Sequence, residues 1–133
     1  MRLLGIDYGT KRIGVAISDE GGTLAFPKEI LENNKSILEK LESIIKEENI
    51  KEIIIGESMD FKGEANKVEK EINEFTLELN KMFNLPIHLQ KEFLTSVEAR
   101  RYKIKSGSVD SSAAALILQR YLDKKNQALG SRQ

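Results

Sequence analysis

Leu3-Leu4-Gly5-Ile6-Asp7-Tyr8-Gly9-Thr10-Lys11-Arg12-Ile13-Gly14-Val15-Ala16-Ile17-Ser18 is the stretch whose reading decides the architecture. Arg2 to Ile6 is an apolar run of strand length, and Asp7 to Lys11 carries glycine as a turn signal. Arg12 to Ser18 is rich in β-branched residues and reads as a second strand. Asp19-Glu20-Gly21-Gly22 is a further turn, so with a third strand at Thr23 to Phe26 the chain opens as an antiparallel meander.

Beyond the meander the period changes. Ile37, Leu38, Leu41, Ile44 and Ile45 form one helix face between about Asn34 and Glu48. Ile53-Ile54-Ile55 is wholly apolar, as a buried parallel strand requires, and Gly56 to Gly63 reads as a loop. From Glu64 to Phe83, Val68, Ile72, Phe75, Leu79 and Met82 fall at helical spacing. Pro86 to Gln90 is the next strand, and Thr95, Ser96 and Glu98 open a helix to about Lys105. Ser106-Gly107-Ser108 breaks it, and Asp110 opens a last helix to about Lys124. The order β-β-β-α-β-α-β-α-α predicts an α/β fold with a five-stranded mixed sheet and helices on both faces. One domain over residues 1–125 and a frayed tail over 126–133 are expected.

The chain has 133 residues, 40% of them hydrophobic and 32% charged, which excludes a disordered polymer. No apolar run approaches the roughly 18 residues of a membrane span, and a carboxylate at position 7 comes too early for a signal peptide, so a cytoplasmic protein is expected. The absence of cysteine excludes disulfides, thiolate zinc sites and cysteine nucleophiles. Lysine plus arginine number 21 and aspartate plus glutamate 21, so net charge names no partner. Segments differ: residues 1–18 hold three basic and one acidic residue, 19–90 nine and sixteen, and 91–133 nine and four. If the two basic ends meet, their shared face suits a polyanion; ordinary solvated helix faces are the plainer alternative.

Two carboxylates stand where such folds collect chemistry, at the carboxyl ends of strands, and the fold could bring a third beside them. Asp7 follows the first strand, Glu92 follows the strand Pro86 to Gln90, and Asp110 stands at the mouth of the last helix. Converging carboxylates are hard oxygen donors for Mg²⁺ or Mn²⁺, and such ions clamp an in-line displacement at phosphorus. Each has a plainer use: Asp7 in shaping a turn, Glu92 as a surface charge, Asp110 as an N-cap. Thr10, Lys11 and Arg12 are either hairpin residues or phosphate contacts. Thr95 and Ser96 are either caps or hydroxyls that hold a phosphate. His88, the only histidine, alternates with Ile87 and Leu89 and reads as structural.

The segment Leu3 to Asp19 closely resembles the start of the YqgF family, Holliday junction resolvases also described as nucleases that mature the 5′ end of pre-16S ribosomal RNA. The resemblance extends over residues 1–124 through Gly56, Gly63, Glu92-Phe93-Leu94-Thr95-Ser96, and Asp110 with Ala113 to Gln119. It implies a ribonuclease H-like fold similar to the RuvC resolvases and a hydrolase acting on structured nucleic acid. It further implies Asp7, Glu92 and Asp110 as the catalytic, Mg²⁺- or Mn²⁺-binding trio, with Asp7 central. Lys11 and Arg12 would contact nucleic-acid backbone, and Thr95 and Ser96 match the family's hydroxyl pair.

The substrate class stays open between precursor rRNA and branched DNA, with a slight preference for RNA. A monomer or weak homodimer is expected. Three departures bear on turnover. Lys91 and Phe93 replace the family's usual aspartate and arginine around Glu92, and Glu57 follows Gly56 where the family has Gly-Leu-Pro. A catalytically lapsed nucleic-acid- or ribosome-binding domain is therefore the alternative. Asp7-Tyr8-Gly9-Thr10 also looks like the first phosphate loop of actin-like ATPases and sugar kinases, but the chain has no second Asp-x-Gly-Thr.

Overall fold

Apolar runs form the inner strands of this chain, and their order in the sheet positions the helices. The computed structural model describes residues 1–57, 65–90 and 109–130. Five strands and three helices lie within them. They are β1 (Arg2–Tyr8), β2 (Arg12–Ser18), β3 (Ala25–Glu32), α1 (Ile37–Glu47), β4 (Ile50–Glu57), α2 (Ala65–Phe83), β5 (Ile87–Gln90) and α3 (Val109–Gly130). The sheet runs β3-β2-β1-β4-β5. β1–β2 and β2–β3 are antiparallel, whereas β1–β4 and β4–β5 are parallel. The expected meander and mixed sheet are both present, with β1 at the centre.

Alternation along β1 separates two cores. Leu4, Ile6 and Tyr8 point to one face and pack with Ile13 and Val15 of β2, Ile53 and Ile55 of β4, and the buried stripes of α1 and α2. Leu3 points to the other face and packs with Ala16, Ile54 and the α3 residues Ala114, Ala115, Leu118 and Leu122. Helices thus cover both faces. α1 and α2 each end on an asparagine in the left-handed region, Asn49 (φ 53) and Asn84 (φ 51), which stops the helix and turns the chain into the next strand. Glu48 then binds Arg2 Nη1 at 2.6 Å and Lys28 Nζ at 3.3 Å, joining the end of α1 to β1 and β3.

Several boundaries differ from the sequence reading. The third strand is Ala25–Glu32 and not Thr23 to Phe26. It is an edge strand with only Leu31 buried, so it carries no alternating pattern, and its pairing with β2 from Arg12↔Glu32 to Ser18↔Ala25 defines it instead. Pro27, which lacks an N–H, is accommodated on this edge beside a register shift at Val15/Ala16. β4 takes in Gly56 and Glu57, which had read as loop, because both continue the parallel ladder with β1. α1 starts later, at Ile37, because the Asn34 side chain accepts from the Ser36 N–H at 2.9 Å and the Asn34 carbonyl from the Ile37 N–H at 3.1 Å, forming a turn. α3 runs on to Gly130, and along it the Asn126 amide donates to the Gly22 carbonyl at 3.1 Å. The helix expected at residues 95–105 and the rest of the loop to Gly63 lie outside the described residues.

Candidate active site

Asp7 stands near the carboxyl end of the central strand, on the face that α3 covers, because it shares the parity of Leu3 and Gly5. Its two cross-strand neighbours are both glycines: Gly14 on β2 and Gly56 on β4. Neither flanking register position therefore projects a side chain of its own, and on the Gly56 side Ile117 of α3 lies directly on the backbone of the trough. The Asp7 Oδ1 is buried. A carboxylate oxygen held this way in an apolar sheet is a hard donor kept from bulk water.

The glycines also set how closely α3 approaches. A Cβ on Gly5 would stand 2.7 Å from Leu118 Cβ and 3.1 Å from the Ala114 carbonyl oxygen. A Cβ on Gly56 would stand 2.6 Å from Ile117 Cδ1. The direction of α3 is fixed at its other half. Gln119 donates to the Thr23 carbonyl and accepts from the Ala25 N–H, both at 2.9 Å, and Asn126 reaches Gly22. These partners lie beside the amino end of β1, where the Leu3 N–H donates to Ser18 Oγ at 2.8 Å. Moving toward the start of α3 therefore means moving toward Asp7. The backbone of Asp110 is one turn, about 6 Å, before Ala114, in the first turn of the helix at that end of the sheet.

The hairpin loop after β1 carries Thr10 and Lys11, and Arg12 opens β2; all three are exposed. Asn33 holds this loop. Its Nδ2 donates to the Gly9 carbonyl at 2.9 Å and to Tyr8 Oη at 3.3 Å, and its N–H donates to the Lys11 carbonyl at 2.9 Å. Tyr8 anchors the same point on the opposite face, its ring 5.2 Å from that of Phe75. Burial pushes the Tyr8 phenol up; the Asn33 hydrogen bond opposes this, and Glu71 and Glu74 add to it. A strand capped this way gives the residues around Asp7 little freedom.

Of the predicted acidic trio, the structure puts the Asp7 side chain and the Asp110 backbone at one end of the sheet; Glu92 lies outside the described residues, as do Thr95, Ser96, Lys91 and Phe93. Gln90, two residues before Glu92, is in register with Gly56 and so two strands from Asp7. Among the described residues there is no group of three or more His, Cys, Asp or Glu able to hold a metal ion. Glu57 closes β4 in register with Tyr8, one residue past the glycine beside Asp7. His88 is away from this end. Its Nε2 lies 2.8 Å from Glu52 Oε1, and its ring stacks 5.3 Å from Tyr121, in keeping with a structural role.

Sequence reasoning missed Asn33 and the glycine frame. Glycines inside otherwise β-branched strands were the available signal for Gly14 and Gly56. Asn33 had none, since its partners are backbone groups of a distant hairpin.

Known proteins resemble this chain in sequence and in fold. The RuvX family, described as a Holliday junction resolvase, matches residues 1–124. A protein of Oenococcus oeni is 40% identical over 141 residues, covering 96% of this chain and 97% of its own. One of Koribacter versatilis is 36% identical over 134 residues, covering 93% and 88%. Both carry the description "Putative pre-16S rRNA nuclease". Among solved structures, Thermus thermophilus RuvC bound to a Holliday junction superposes with a TM-score of 0.65 at 14% identity, covering 94% of this chain and 96% of that one. A further Thermus thermophilus RuvC structure gives 0.66 at 12% identity, covering 96% and 97%. At these identities the likeness shows the fold, which is ribonuclease H-like.

Proposed function

Because the chain belongs to the RuvX (YqgF) family of Holliday junction resolvases and pre-16S rRNA nucleases, we propose that it is a divalent-metal-dependent endonuclease acting on structured nucleic acid, with precursor 16S rRNA the favoured substrate. The observation that carries this reading is Asp7: a carboxylate with a buried oxygen, at the carboxyl end of the central strand, between two glycines and below a closely packed helix. Asp7, Glu92 and Asp110 are the proposed ligands, and the donor set fits Mg²⁺ or Mn²⁺, which take oxygen ligands and keep several waters. Bound there, a divalent ion supplies charge neutralisation at the phosphate and a more acidic attacking water.

The chain's own residues do the remaining work. Lys11 and Arg12 hold neighbouring phosphates, and the Asn33 clamp keeps their loop in place. Thr95 and Ser96 supply hydroxyl donors to the strand being cut. A water oxygen adds to phosphorus while the bond to the leaving oxygen breaks; that oxygen takes up a proton, and the phosphate stays on the other product end. The protein acts in the cytoplasm as a monomer or weak homodimer. No described helix is long and apolar enough to cross a membrane.

Lys91 and Phe93 favour one second reading, a member that binds nucleic acid and has lost cleavage. The experiment that separates the two offers purified protein a labelled precursor rRNA and a four-way DNA junction with Mg²⁺, Mn²⁺ or chelator. Asp7→Asn and Asp110→Asn run alongside. Metal-dependent cleavage lost in both variants supports the nuclease. Cleavage that survives Asp7→Asn removes the assignment. Binding without cleavage under every ion supports the second reading.

A further inference from the structure

Glu52 is a buried carboxylate that the proposed chemistry does not use. It lies on β4, 9% exposed, facing α3, and its three neighbours come from two other elements. His88 Nε2 of β5 is 2.8 Å from Oε1. Lys125 Nζ of α3 is 3.6 Å from Oε2. Tyr121 of α3 stacks on His88 with ring centroids 5.3 Å apart, and burial, then the adjacent Glu52 charge, push its phenol up. A carboxylate this buried is costly unless its partners compensate it, and here they are drawn from the elements that flank β4 and cover it.

Those two elements lead to the other two proposed ligands. β5 ends at Gln90, two residues before Glu92, and α3 begins with Val109 and Asp110. β5 is an edge strand of four residues, hydrogen-bonded to β4 alone. His88 is where its α3-facing side is tied to both β4 and α3. Glu52 itself stands four residues before Gly56 on β4, about 13 Å along the strand, too far to touch a phosphate at Asp7.

We propose that Glu52 is a positioning residue: through His88 and through Tyr121 and Lys125 it locks β5 and α3 to the central sheet, and so sets where α3 carries the Asp110 backbone relative to Asp7. The proposal rests on the metal-site reading above. It predicts that loosening this remote junction weakens metal binding and turnover without weakening the grip on nucleic acid.

The test measures Mn²⁺ affinity by calorimetry, with kcat and KM on labelled precursor rRNA, for Glu52→Ala, Glu52→Gln, His88→Ala and the control Asp7→Asn. All are compared at a temperature where circular dichroism shows them folded. Glu52→Ala and His88→Ala are expected to weaken Mn²⁺ binding by about three- to tenfold, less than the loss of a group bonded directly to a metal ligand, and to lower kcat with KM unchanged. Glu52→Gln keeps an oxygen that accepts from His88 and is expected to recover most of the affinity. Wild-type Mn²⁺ affinity in both alanine variants, whatever their stability, would overturn the proposal. Should Glu52→Ala not fold, the half-exposed His88 decides through His88→Ala. Wild-type Mn²⁺ affinity in Asp7→Asn would instead overturn the metal-site reading, and this proposal with it.

Discussion

Gly5→Ala adds one methyl group under α3, and the structure states what that methyl meets. The ideal Cβ lies 2.7 Å from Leu118 Cβ and 3.1 Å from the Ala114 carbonyl oxygen. Carbon–carbon contacts are comfortable at about 3.5–4.0 Å, so α3 has to move by about 1 Å. Both obstructing atoms are fixed to the helix backbone, so no rotamer change relieves the clash. Overpacking of this kind costs about 1–3 kcal/mol. A less flexible unfolded chain returns about 0.4–1 kcal/mol, since Gly5 is not in the left-handed region. The net expectation is a loss of about 1–2 kcal/mol, read as a lower urea midpoint at unchanged m-value by circular dichroism.

Activity is expected to fall further than stability does. A shift of about 1 Å at a reacting centre can cost on the order of a hundredfold in rate, and α3 carries Asp110. The double variant Gly5→Ala/Leu118→Ala sharpens the test. Leu118→Ala removes the outer carbons and keeps Cβ, so it leaves the closest contact in place and cannot rescue Gly5→Ala. Rescue by Leu118→Ala, or a Gly5→Ala protein within about 0.5 kcal/mol of wild type (the range of ordinary surface substitutions), would refute the close approach of α3 as the reason for glycine here.

Two further outcomes follow from named contacts. The Asp19 carboxylate accepts from the Thr23 N–H at 2.8 Å, the Leu24 N–H at 3.2 Å and Thr23 Oγ1 at 2.8 Å, which hold its carboxyl below the usual range. Its stabilising contribution is therefore full above the unfolded carboxylate value, about 4, and lost as pH falls through the folded value. The gap in urea midpoint between wild type and Asp19→Ala should hold from pH 5 to 7 and narrow below pH 4; an equal gap at pH 2.5 contradicts this. Lys11→Ala should reduce the slope of log affinity against log salt for nucleic acid by about 0.7–0.9, one phosphate contact's worth. An unchanged slope in a filter-binding titration removes Lys11 from the interface.

What the residues disclosed in advance depended on burial. β1 and β2 were legible because both of their faces are buried, which leaves an unbroken apolar run, and the α1 and α2 stripes because one face of each helix meets an apolar core. β3 was not: five consecutive residues from Phe26 to Ile30 are exposed, so it leaves no periodic trace, and only its pairing with β2 reveals it. The polar start of β4, Lys51 and Glu52, hid in the same way, because Glu52 is buried by partners 36 and 73 positions further along the chain. Asp7 stood out because a carboxylate after Leu-Leu-Gly-Ile is a poor choice for a strand end without a purpose. Its glycine flanks did not, since the register that brings Gly14 and Gly56 beside it exists only once three strands have paired.

The division of labour between the two faces gives the protein a temporal asymmetry. Among the described residues, the buried members of the core beneath α1 and α2 all lie in β1 to α2 and exist once residue 83 has been made, with Leu85 and Ile87 added at its margin. The opposite face, with Leu3, Ala16 and Ile54, is sealed only by residues 114–122. At roughly 5–20 residues per second of synthesis, the nascent chain spends about 2–8 s with one wall built and the other open. During that interval an apolar surface stays uncovered, and Asp7 is laid out before Asp110 is made. On the proposed assignment of Asp7 and Asp110, the trough becomes competent only when the last helix docks, so a half-made chain is sticky before it can be active.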